Sequence, residues 1–162
     1  MNEPLLRYAR LNGRTGHEAG RALLRAMYEE ATGEDMPEIA IADRGKPYFP
    51  GSPWQFSITH TSNHVFCALS RSPVGIDAEE KNRKVNLKLA HRALSSGELI
   101  QWQQAPDQKK ALLTFWVLKE ARVKCSGDGL RGFPNDTDFR LDDPRVQEID
   151  GCLVAVITGN EA

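Results

Sequence analysis

Apolar residues recur at helical spacing in two long stretches of the sequence. The first is HEAGRALLRAMYEEATG, residues 17–33, where one face collects Leu23, Leu24, Met27 and Tyr28. Gly33 is a typical residue at which a helix ends. The second stretch predicts a long helix from about residue 107 to 125, preceded by two shorter helices at 87–94 and 96–104. Helices therefore flank a central stretch of different periodicity.

Alternating apolar and polar residues predict strands in that central stretch. WQFSITHT (54–61) and HVFCALS (64–70) form a hairpin across a short turn, and SPVGIDAEE (72–80) continues as a third strand. Other segments are the loop RGKPYFPGSP (44–53), the short strand EIAIA (38–42), and the tail segments FRLDD (139–143) and GCLVAVITG (151–159), the last a strongly apolar strand. The order of helix, strands, helices and strands indicates an α+β fold with antiparallel sheet.

Composition narrows the class of protein. The 162 residues, 40% hydrophobic and 27% charged, predict one globular domain over 1–162. The net charge of −1 provides no basic field for nucleic acid or a membrane surface. Three widely spaced cysteines form neither a disulfide framework nor a zinc pattern, which fits a reducing cytosol. With no apolar leader or membrane span in the sequence, a soluble cytoplasmic protein is predicted.

Glu120 and Lys124 are out of place on the long helix. On a helical wheel they fall inside an apolar stripe made of Leu113, Trp116, Val117, Ala121 and Val123. The polar face is already supplied by Arg122, with Lys119 at its edge. An exposed ion pair one turn apart would contribute about 0.2–0.5 kcal/mol, but burying charge costs far more unless a partner, metal or ligand compensates. The placement favours a half-buried site over an exposed pair.

The segment VGIDAE carries a second pair of misplaced charges. In a strand, Asp77 and Glu79 point to the same face. Because these like charges repel, either a solvated sheet edge or a bound cation must explain them. The alternative is an acidic strand end that leads into the charged run at 80–84. Gly75, just before the acids, predicts close approach of a ligand to the backbone.

The two pairs together suit a metal that binds phosphate. Asp77, Glu79 and Glu120 offer hard oxygen ligands, and Mg²⁺ is usually held by a few carboxylates completed by water and substrate phosphates. Lys119 and Lys124, beside them in the sequence, would bind a phosphate or stabilise charge that develops on it. The combination predicts a magnesium-dependent phosphate chemistry.

Two histidines and one lysine upstream are less specific. The spacing of His60 and His64 across a hairpin turn is not diagnostic, and no third histidine lies near them in the sequence, which argues against a zinc site. His60 suits either a hydrogen bond to a phosphate or a structural role. Lys46 in the rigid GKP loop is either a ligand contact or an ordinary surface lysine.

Four segments, GKPYF, SITHTSNHVFCALS, VGIDAE and FWVLKEARVKCSGDGL, occur in this order along the chain. Together they resemble the motifs of the 4′-phosphopantetheinyl transferase superfamily, whose hallmark is G-I-D-x-E followed some forty residues later by W-x-x-K-E-A-x-x-K-x-x-G-x-G-L. The separation of Asp77 and Glu120 fits that hallmark. The upstream GKP and histidine strand resemble the surfactin-synthetase-activating type, of which this would be a short member. The resemblance extends over roughly residues 20 to 158.

The resemblance implies an activity and a set of roles. The activity is transfer of 4′-phosphopantetheine from coenzyme A to a serine of an apo acyl or peptidyl carrier protein, with release of adenosine 3′,5′-bisphosphate. Asp77, Glu79 and Glu120 would hold Mg²⁺, with Mn²⁺ as the alternative ion. Glu120 would also accept the serine proton, and Lys124 would stabilise charge on the pyrophosphate. The coenzyme would be bound by Lys46, Thr59, His60, Lys119 and Arg25.

The family fold is a pseudo-twofold pair of α/β halves with the active site between them. The resemblance places these halves at about residues 1–75 and 76–162, although no internal sequence repeat is visible. The chain departs from the family by its shortness before GKP, where Arg7, Arg10 and Arg14 are the candidate replacements for missing basic residues. Two other functions stay open on the residues alone: a Mg²⁺-dependent nuclease, and a non-catalytic binder of carrier protein or coenzyme A.

Overall fold

The helices and strands follow an α+β order with antiparallel sheets, as predicted. The structure is a computed structural model and describes residues 3–127 and 138–159. Its helices are α1 (Gly16–Thr32), α2 (Ala90–Ala93), α3 (Ser96–Gln104) and α4 (Gln108–Ser126), with a 3-10 turn at Leu87–Leu89. Its strands are β1 (Leu5–Arg10), β2 (Ala40–Ile41), β3 (Pro47–Tyr48), β4 (Gln55–His60), β5 (His64–Ser70), β6 (Val74–Glu80), β7 (Val146–Ile149) and β8 (Cys152–Thr158).

Two three-stranded sheets share one topology. Their strand orders are β1-β5-β4 and β6-β8-β7, so in each sheet the strand that comes last in the sequence lies at the centre. A long helix follows the first strand of each sheet, α1 after β1 and α4 after β6. This topology is consistent with two halves, which stay a prediction. The predicted boundary between residues 75 and 76 falls inside β6, whereas the connection between the two sheets is 71–73.

The strand predicted to extend the central hairpin belongs to the other sheet. β5 is paired by β1 on one side and by β4 on the other, so neither of its edges is open to β6. β6 instead pairs along its whole length with β8, from Val74 opposite Thr158 to Glu80 opposite Cys152. The acidic strand therefore leaves the first sheet and becomes the edge of the second.

Side-chain caps and glycines determine where the two long helices begin and end. Thr15 accepts a hydrogen bond from a first-turn backbone N–H of α1, and Asp107 does the same for α4. Gly33 ends α1 and Gly127 ends α4, with φ of 71° and 73°, a left-handed conformation that costs glycine little. The predicted bounds of both helices are confirmed to within a residue or two.

Helix α4 is covered on two sides. One side packs on β6 and β8, and another contacts α3 and the 3-10 turn. Its fully buried side chains include Phe115, Val117 and Leu118. Glu120 and Lys124 are half-buried, as predicted. Lys119 was expected at the edge of a polar face, but its side chain has no exposed surface because α3 lies over it.

The three cysteines, Cys67, Cys125 and Cys152, are buried. Across residues 3–127 and 138–159, no helix combines the length and the apolar character needed to cross a bilayer. Each cysteine belongs to a different apolar cluster, and the cluster of Cys152 lies between the two sheets, where it also contains Phe66 of β5 and Ile76 of β6.

Candidate active site

The edge strands β4 and β6 meet side by side, one from each sheet, without pairing in a ladder. Two hydroxyl groups of β4 bridge the gap. The backbone N–H of Ile76 donates to Ser57 Oγ at 3.1 Å, and Thr59 Oγ1 donates to Asp77 Oδ1 at 3.2 Å. The first of the predicted carboxylates is thus anchored at the seam between the sheets.

Gly75 sets the distance between β6 and α4. A Cβ atom at this position would lie 1.9 Å from the carbonyl oxygen of Ala121 and 2.4 Å from the backbone nitrogen of Cys125. Only a residue without a side chain allows this contact between backbones. The prediction that Gly75 serves a ligand is wrong, because the helix occupies that space. The glycine instead brings Asp77 close to the face of α4 that carries Lys124.

Asp77 is buried and only partly satisfied. Its Oδ1 accepts from Thr59 and from Lys124 Nζ at 3.3 Å, whereas Oδ2 has no hydrogen-bond partner among the described residues. The pKa of Asp77 is raised to about 7, chiefly by burial; Lys124 opposes the shift, and the carboxylates of Glu120 and Glu79 add to it. An unpaired buried carboxylate oxygen is expensive, so the site calls for a cation.

Glu120 and Glu79 extend the cluster of negative charge. Burial raises the pKa of Glu120, Lys124 lowers it and Glu79 raises it further, so these groups act on one another. Glu79 Oε1 also pairs with Arg83 at 2.7 Å. In the described part of the chain, the three carboxylates do not form a group with ligand atoms within 4.8 Å of one another, a condition that His64, Glu80 and Cys152 do meet. The trio as a metal site stays a prediction.

Lys124 is the cation already present in this cluster. Its Nζ donates to the backbone carbonyl of Ile76 at 3.1 Å and to Asp77 Oδ1 at 3.3 Å. About a third of the side chain is exposed, at 33%. The ammonium can therefore reach a ligand in the adjacent cavity without leaving the protein surface.

A cavity of about 330 Å³ opens between β4 and α4, beside Glu120 and Lys124. Its polar lining is mostly cationic, and its remaining lining is apolar or glycine: Arg21, Arg44, Lys46, Ser57, Glu120 and Lys124, then Gly45, Pro47, Phe56, Ile58, Val123 and Gly127. Cations around an apolar floor suit a ligand that carries phosphates on a planar or aliphatic body.

Lys46 links this cavity to the end of α4. Its Nζ donates to the carbonyl of Cys125 at 3.1 Å and to that of Val74 at 3.4 Å. A cation at a helix C-terminus is favourable because the last carbonyls carry partial negative charge. Burial lowers the pKa of Lys46. The loop lysine that the sequence singled out does lie in the cavity wall, and its binding role stays a prediction.

Lys119 does not belong to the site. Its ammonium pairs with Glu98 Oε1 at 2.8 Å, and neither side chain has any exposed surface. Glu98 also accepts from the backbone N–H groups of Ser95 and Phe139. The predicted phosphate contact of Lys119 is therefore wrong: adjacent residues of a helix point about 100° apart, and this one points toward α3.

The other residues predicted to bind the coenzyme, Arg25, Thr59 and His60, do not line the cavity. Arg25 is exposed and outside the lining, which instead includes Arg21, one turn earlier on the same helix. Thr59 is bonded to Asp77, and the exposed ring of His60 lies over Gly16 at the start of α1. The glycine-leucine end of the helix motif, at 129–130, lies outside the described residues.

Arg21, Arg44 and Ser57 are lining residues that sequence reasoning missed. Arg21 lies one helical turn before Arg25, so the pattern held a signal for a basic face but not for which arginine faces the cleft. Arg44 directly precedes the GKP loop. Ser57 alternates with Thr59 on β4, a signal for a polar edge strand.

Arg7, Arg10 and Arg14 also lie outside the cavity lining. Arg7 pairs with Glu30, Arg10 pairs with Asp150, and Arg14 donates to carbonyls of the loop that precedes α1. Their side chains hold β1 and its loop in place.

Comparison with known proteins gives one consistent result. The sequence model of the 4′-phosphopantetheinyl transferase superfamily matches residues 73–154, about half of the chain and the half that contains the carboxylates. A 4′-phosphopantetheinyl transferase of Bacillus subtilis is 34% identical over 116 residues, which cover 68% of this chain and 51% of the relative. The 4′-phosphopantetheinyl transferase HetI of Nostoc sp. is 31% identical over 122 residues, covering 69% and 52%.

A third relative, the 4′-phosphopantetheinyl transferase gsp of Aneurinibacillus migulanus, is 35% identical over 89 residues, which cover 53% of this chain and 36% of the relative. The chain spans about half the length of the Bacillus subtilis and Nostoc proteins. The superfamily match includes the acidic strand and the whole of α4. By that match the chain belongs to the 4′-phosphopantetheinyl transferase superfamily.

Proposed function

We propose that the chain transfers the 4′-phosphopantetheine group of coenzyme A to a serine of an apo carrier protein, and releases adenosine 3′,5′-bisphosphate. The observation that carries the proposal is the meeting of Asp77, Glu120 and Lys124 at the edge of a cavity lined by cations. Relatives named 4′-phosphopantetheinyl transferases support it. A reducing cytoplasm is the proposed compartment, because three widely spaced cysteines make no disulfide framework in the sequence.

The carboxylate cluster fits a bound Mg²⁺. Asp77 Oδ2 is a buried oxygen without a partner among the described residues. Burial, and then the neighbouring carboxylates, raise the pKa values of Asp77 and Glu120, which a cation would lower. Mg²⁺ needs only one or two carboxylates when waters and substrate phosphates complete its coordination shell. The three carboxylates therefore do not all have to lie within direct bonding distance of one ion. When bound, the ion would neutralise and orient the pyrophosphate.

The protein groups then have separate tasks. The serine oxygen attacks the phosphorus that bears the pantetheine arm, and the bond from that phosphorus to the bridging pyrophosphate oxygen breaks. Glu120, whose pKa lies above its ordinary value, takes the serine proton. Lys124 would stabilise the charge left on the departing nucleotide. Lys46, Arg21 and Arg44 would bind the nucleotide phosphates from the cavity wall.

Mass spectrometry of apo acyl and peptidyl carrier proteins tests the proposal. After incubation with the chain, coenzyme A and Mg²⁺, we expect the carrier to gain the mass of one phosphopantetheine group. Asp77→Ala should fold and give no product, and excess EDTA should stop the reaction. Binding of coenzyme A without transfer to any carrier would identify a non-catalytic relative, and full turnover in EDTA would contradict the metal assignment.

A further inference from the structure

A second cluster of side chains with metal-binding chemistry lies away from the cavity. His64 begins β5, Glu80 ends β6 and Cys152 begins β8. Because side chains alternate along a strand, Glu80 faces away from Asp77 and Glu79. The ligand atoms of the three residues all lie within 4.8 Å of one another. These three residues are far apart in the sequence, but the β6–β8 ladder places Cys152 opposite Glu80, and His64 of β5 meets both.

The distances match the edges of a tetrahedral site. His64 Nδ1 lies 3.6 Å from Cys152 Sγ and 3.7 Å from Glu80 Oε1. Zinc bonds of about 2.0–2.3 Å at tetrahedral angles separate neighbouring ligand atoms by about 3.3–3.6 Å. A metal could therefore be accommodated with shifts of a few tenths of an ångström on these edges. The ligands sit at the ends of paired strands, which hold them in place.

The surroundings of His64 direct one ring nitrogen toward the cluster. Nε2 lies 2.8 Å from Asp150 Oδ2, and Asp150 is itself held by two hydrogen bonds from Arg10, at 3.1 and 3.2 Å. With the proton on Nε2, the lone pair of Nδ1 faces Cys152 and Glu80. A carboxylate behind the histidine is the usual outer contact of a zinc ligand. Glu80 is oriented in the same way by the side chains of Ser62 and Asn63.

We propose that this cluster binds a zinc ion through His64 Nδ1, Cys152 Sγ and the carboxylate of Glu80. Nitrogen, thiolate sulfur and oxygen together suit zinc and its borderline neighbours, whereas Mg²⁺ takes oxygen ligands. Solvent would complete the shell from the adjoining concavity, which has a volume of about 430 Å³ and is bordered by His64. Binding would release the Cys152 thiol proton to solvent.

Zinc here would join the two sheets. His64 belongs to the first sheet, and Glu80 and Cys152 belong to the second. Stabilisation of the folded chain, and not catalysis, is the expected consequence. The rival arrangement is a protonated His64 paired with both Glu80 and Asp150, which would satisfy the same groups without a metal.

Cobalt(II) titration of the full chain distinguishes these arrangements. Cobalt replaces zinc and shows a thiolate-to-metal charge-transfer band only when a cysteine sulfur is a ligand. We expect one equivalent to produce this band and zinc to displace it. A titration of the unaltered protein without the band overturns the proposal, whatever any variant does.

Matched variants locate the ion. Cys152→Ala and His64→Gln should abolish the band, while Cys67→Ala and His17→Gln should retain it; a band that survives Cys152→Ala overturns the proposal. Asp77→Asn should also retain the band, which separates this site from the proposed Mg²⁺ site and from the success or failure of the transferase assay. Free zinc at a hundredfold excess over Kd should raise Tm by about 5–10 °C in the unaltered chain and not in Cys152→Ala.

Discussion

Two lysines in the second half of helix α4, Lys119 and Lys124, pair with carboxylates in opposite ways. Lys119 meets Glu98 at 2.8 Å, with both side chains at 0% exposure. Lys124 meets Asp77 at 3.3 Å, with side-chain exposures of 33% and 10%. The two pairs lie on different sides of one helix and resemble each other in chemistry. They differ in how completely the carboxylate is satisfied.

Glu98 uses both of its oxygens, whereas Asp77 uses one. Glu98 Oε1 accepts from Lys119 and from the N–H of Ser95, and Oε2 accepts from the N–H of Phe139. Asp77 Oδ2 has no partner among the described residues. Burial alone therefore does not identify a functional charge. An incomplete set of hydrogen bonds at the edge of a cavity does, because something else must complete it.

The largest expected effect is on the rate of phosphopantetheine transfer when Glu120, next to the Asp77–Lys124 pair, is changed. Glu120→Gln keeps the shape of the side chain but removes the negative charge and the base beside Lys124. Transfer to the carrier serine should fall about 10²–10⁴-fold, while the thermal stability stays near that of the unaltered chain or rises slightly because the carboxylate of Glu120 is destabilised by burial. Single-turnover transfer and thermal denaturation of the same preparation measure both.

Binding of coenzyme A provides the control for this variant. It should weaken much less than the rate, since the cations of the cavity remain. A Glu120→Gln protein that melts much earlier yet keeps its rate would place Glu120 with Glu98 as a structural residue, and the contrast between the two pairs would be lost.

Loss of the fully hydrogen-bonded pair, Glu98 with Lys119, should lower the stability of the fold. Glu98→Ala removes the carboxylate that pairs with the buried ammonium of Lys119, which should lower the free energy of unfolding by about 3–5 kcal/mol. The matched control is Glu148→Ala, which removes exposed pairs with Lys81 and Lys110 and should cost about 0–1 kcal/mol. Urea denaturation measures both, and equal losses would contradict the assignment of the buried pair.

The raised pKa of Asp77 predicts that the free energy of unfolding falls as the pH rises. Asp77 has a folded pKa of about 7 against an ordinary value of 3.8, so the folded protein binds the extra proton between these values. Its contribution to stability is complete below about pH 4 and is lost as the pH rises through 7. In EDTA, the unaltered chain should lose about 1–3 kcal/mol more than Asp77→Asn between pH 5 and 8.

Denaturant midpoints at both pH values test this difference. Parallel pH profiles for the two proteins would show that Asp77 titrates normally and would remove the electrostatic reason for a cation. Addition of Mg²⁺ at pH 8 should recover stability in the unaltered chain only, since Asp77→Asn lacks the charge that the ion would meet.

The smallest expected effect is on the affinity for coenzyme A when a lysine of the cavity wall is removed. Lys46→Ala removes one of its cations and should weaken coenzyme A binding about tenfold, the lower range for a hydrogen bond to a charged group. Calorimetric titration measures it, with the exposed Lys84→Ala as the control of equal charge. A smaller loss for dephospho-coenzyme A than for coenzyme A would assign Lys46 to the 3′-phosphate; equal losses would assign it to the pyrophosphate.

Sequence patterns were sufficient where a residue's environment depends on its neighbours along the chain. Asp77 and Glu79 share a strand face because strands alternate, and Glu120 and Lys124 share a helix face because they are four residues apart. The half-buried position of the second pair followed from the apolar residues around it. These are local relations, and the structure confirms the burial of Glu120 and Lys124.

The sequence was insufficient where the environment depends on what covers an element. A helical wheel directs Lys119 away from the carboxylate cluster, but it does not show that α3 places Glu98 there. The choice between Arg21 and Arg25 depends on how α1 sits on its sheet. Strand β1 was missed because Leu5 and Tyr8 remain 37% and 45% exposed at an edge, where no clear apolar alternation forms.

The close contact at Gly75 has a consequence for how this protein tolerates change. The spacing between Asp77 and α4 is set by two backbones in contact, not by side chains that could be exchanged for others of similar volume. Substitutions of similar volume in the apolar core should therefore change the separation of Asp77 and Lys124 less than a substitution at position 75 does. Position 75 should accept glycine alone, since even one added carbon forces strand and helix apart and displaces Asp77 from Lys124.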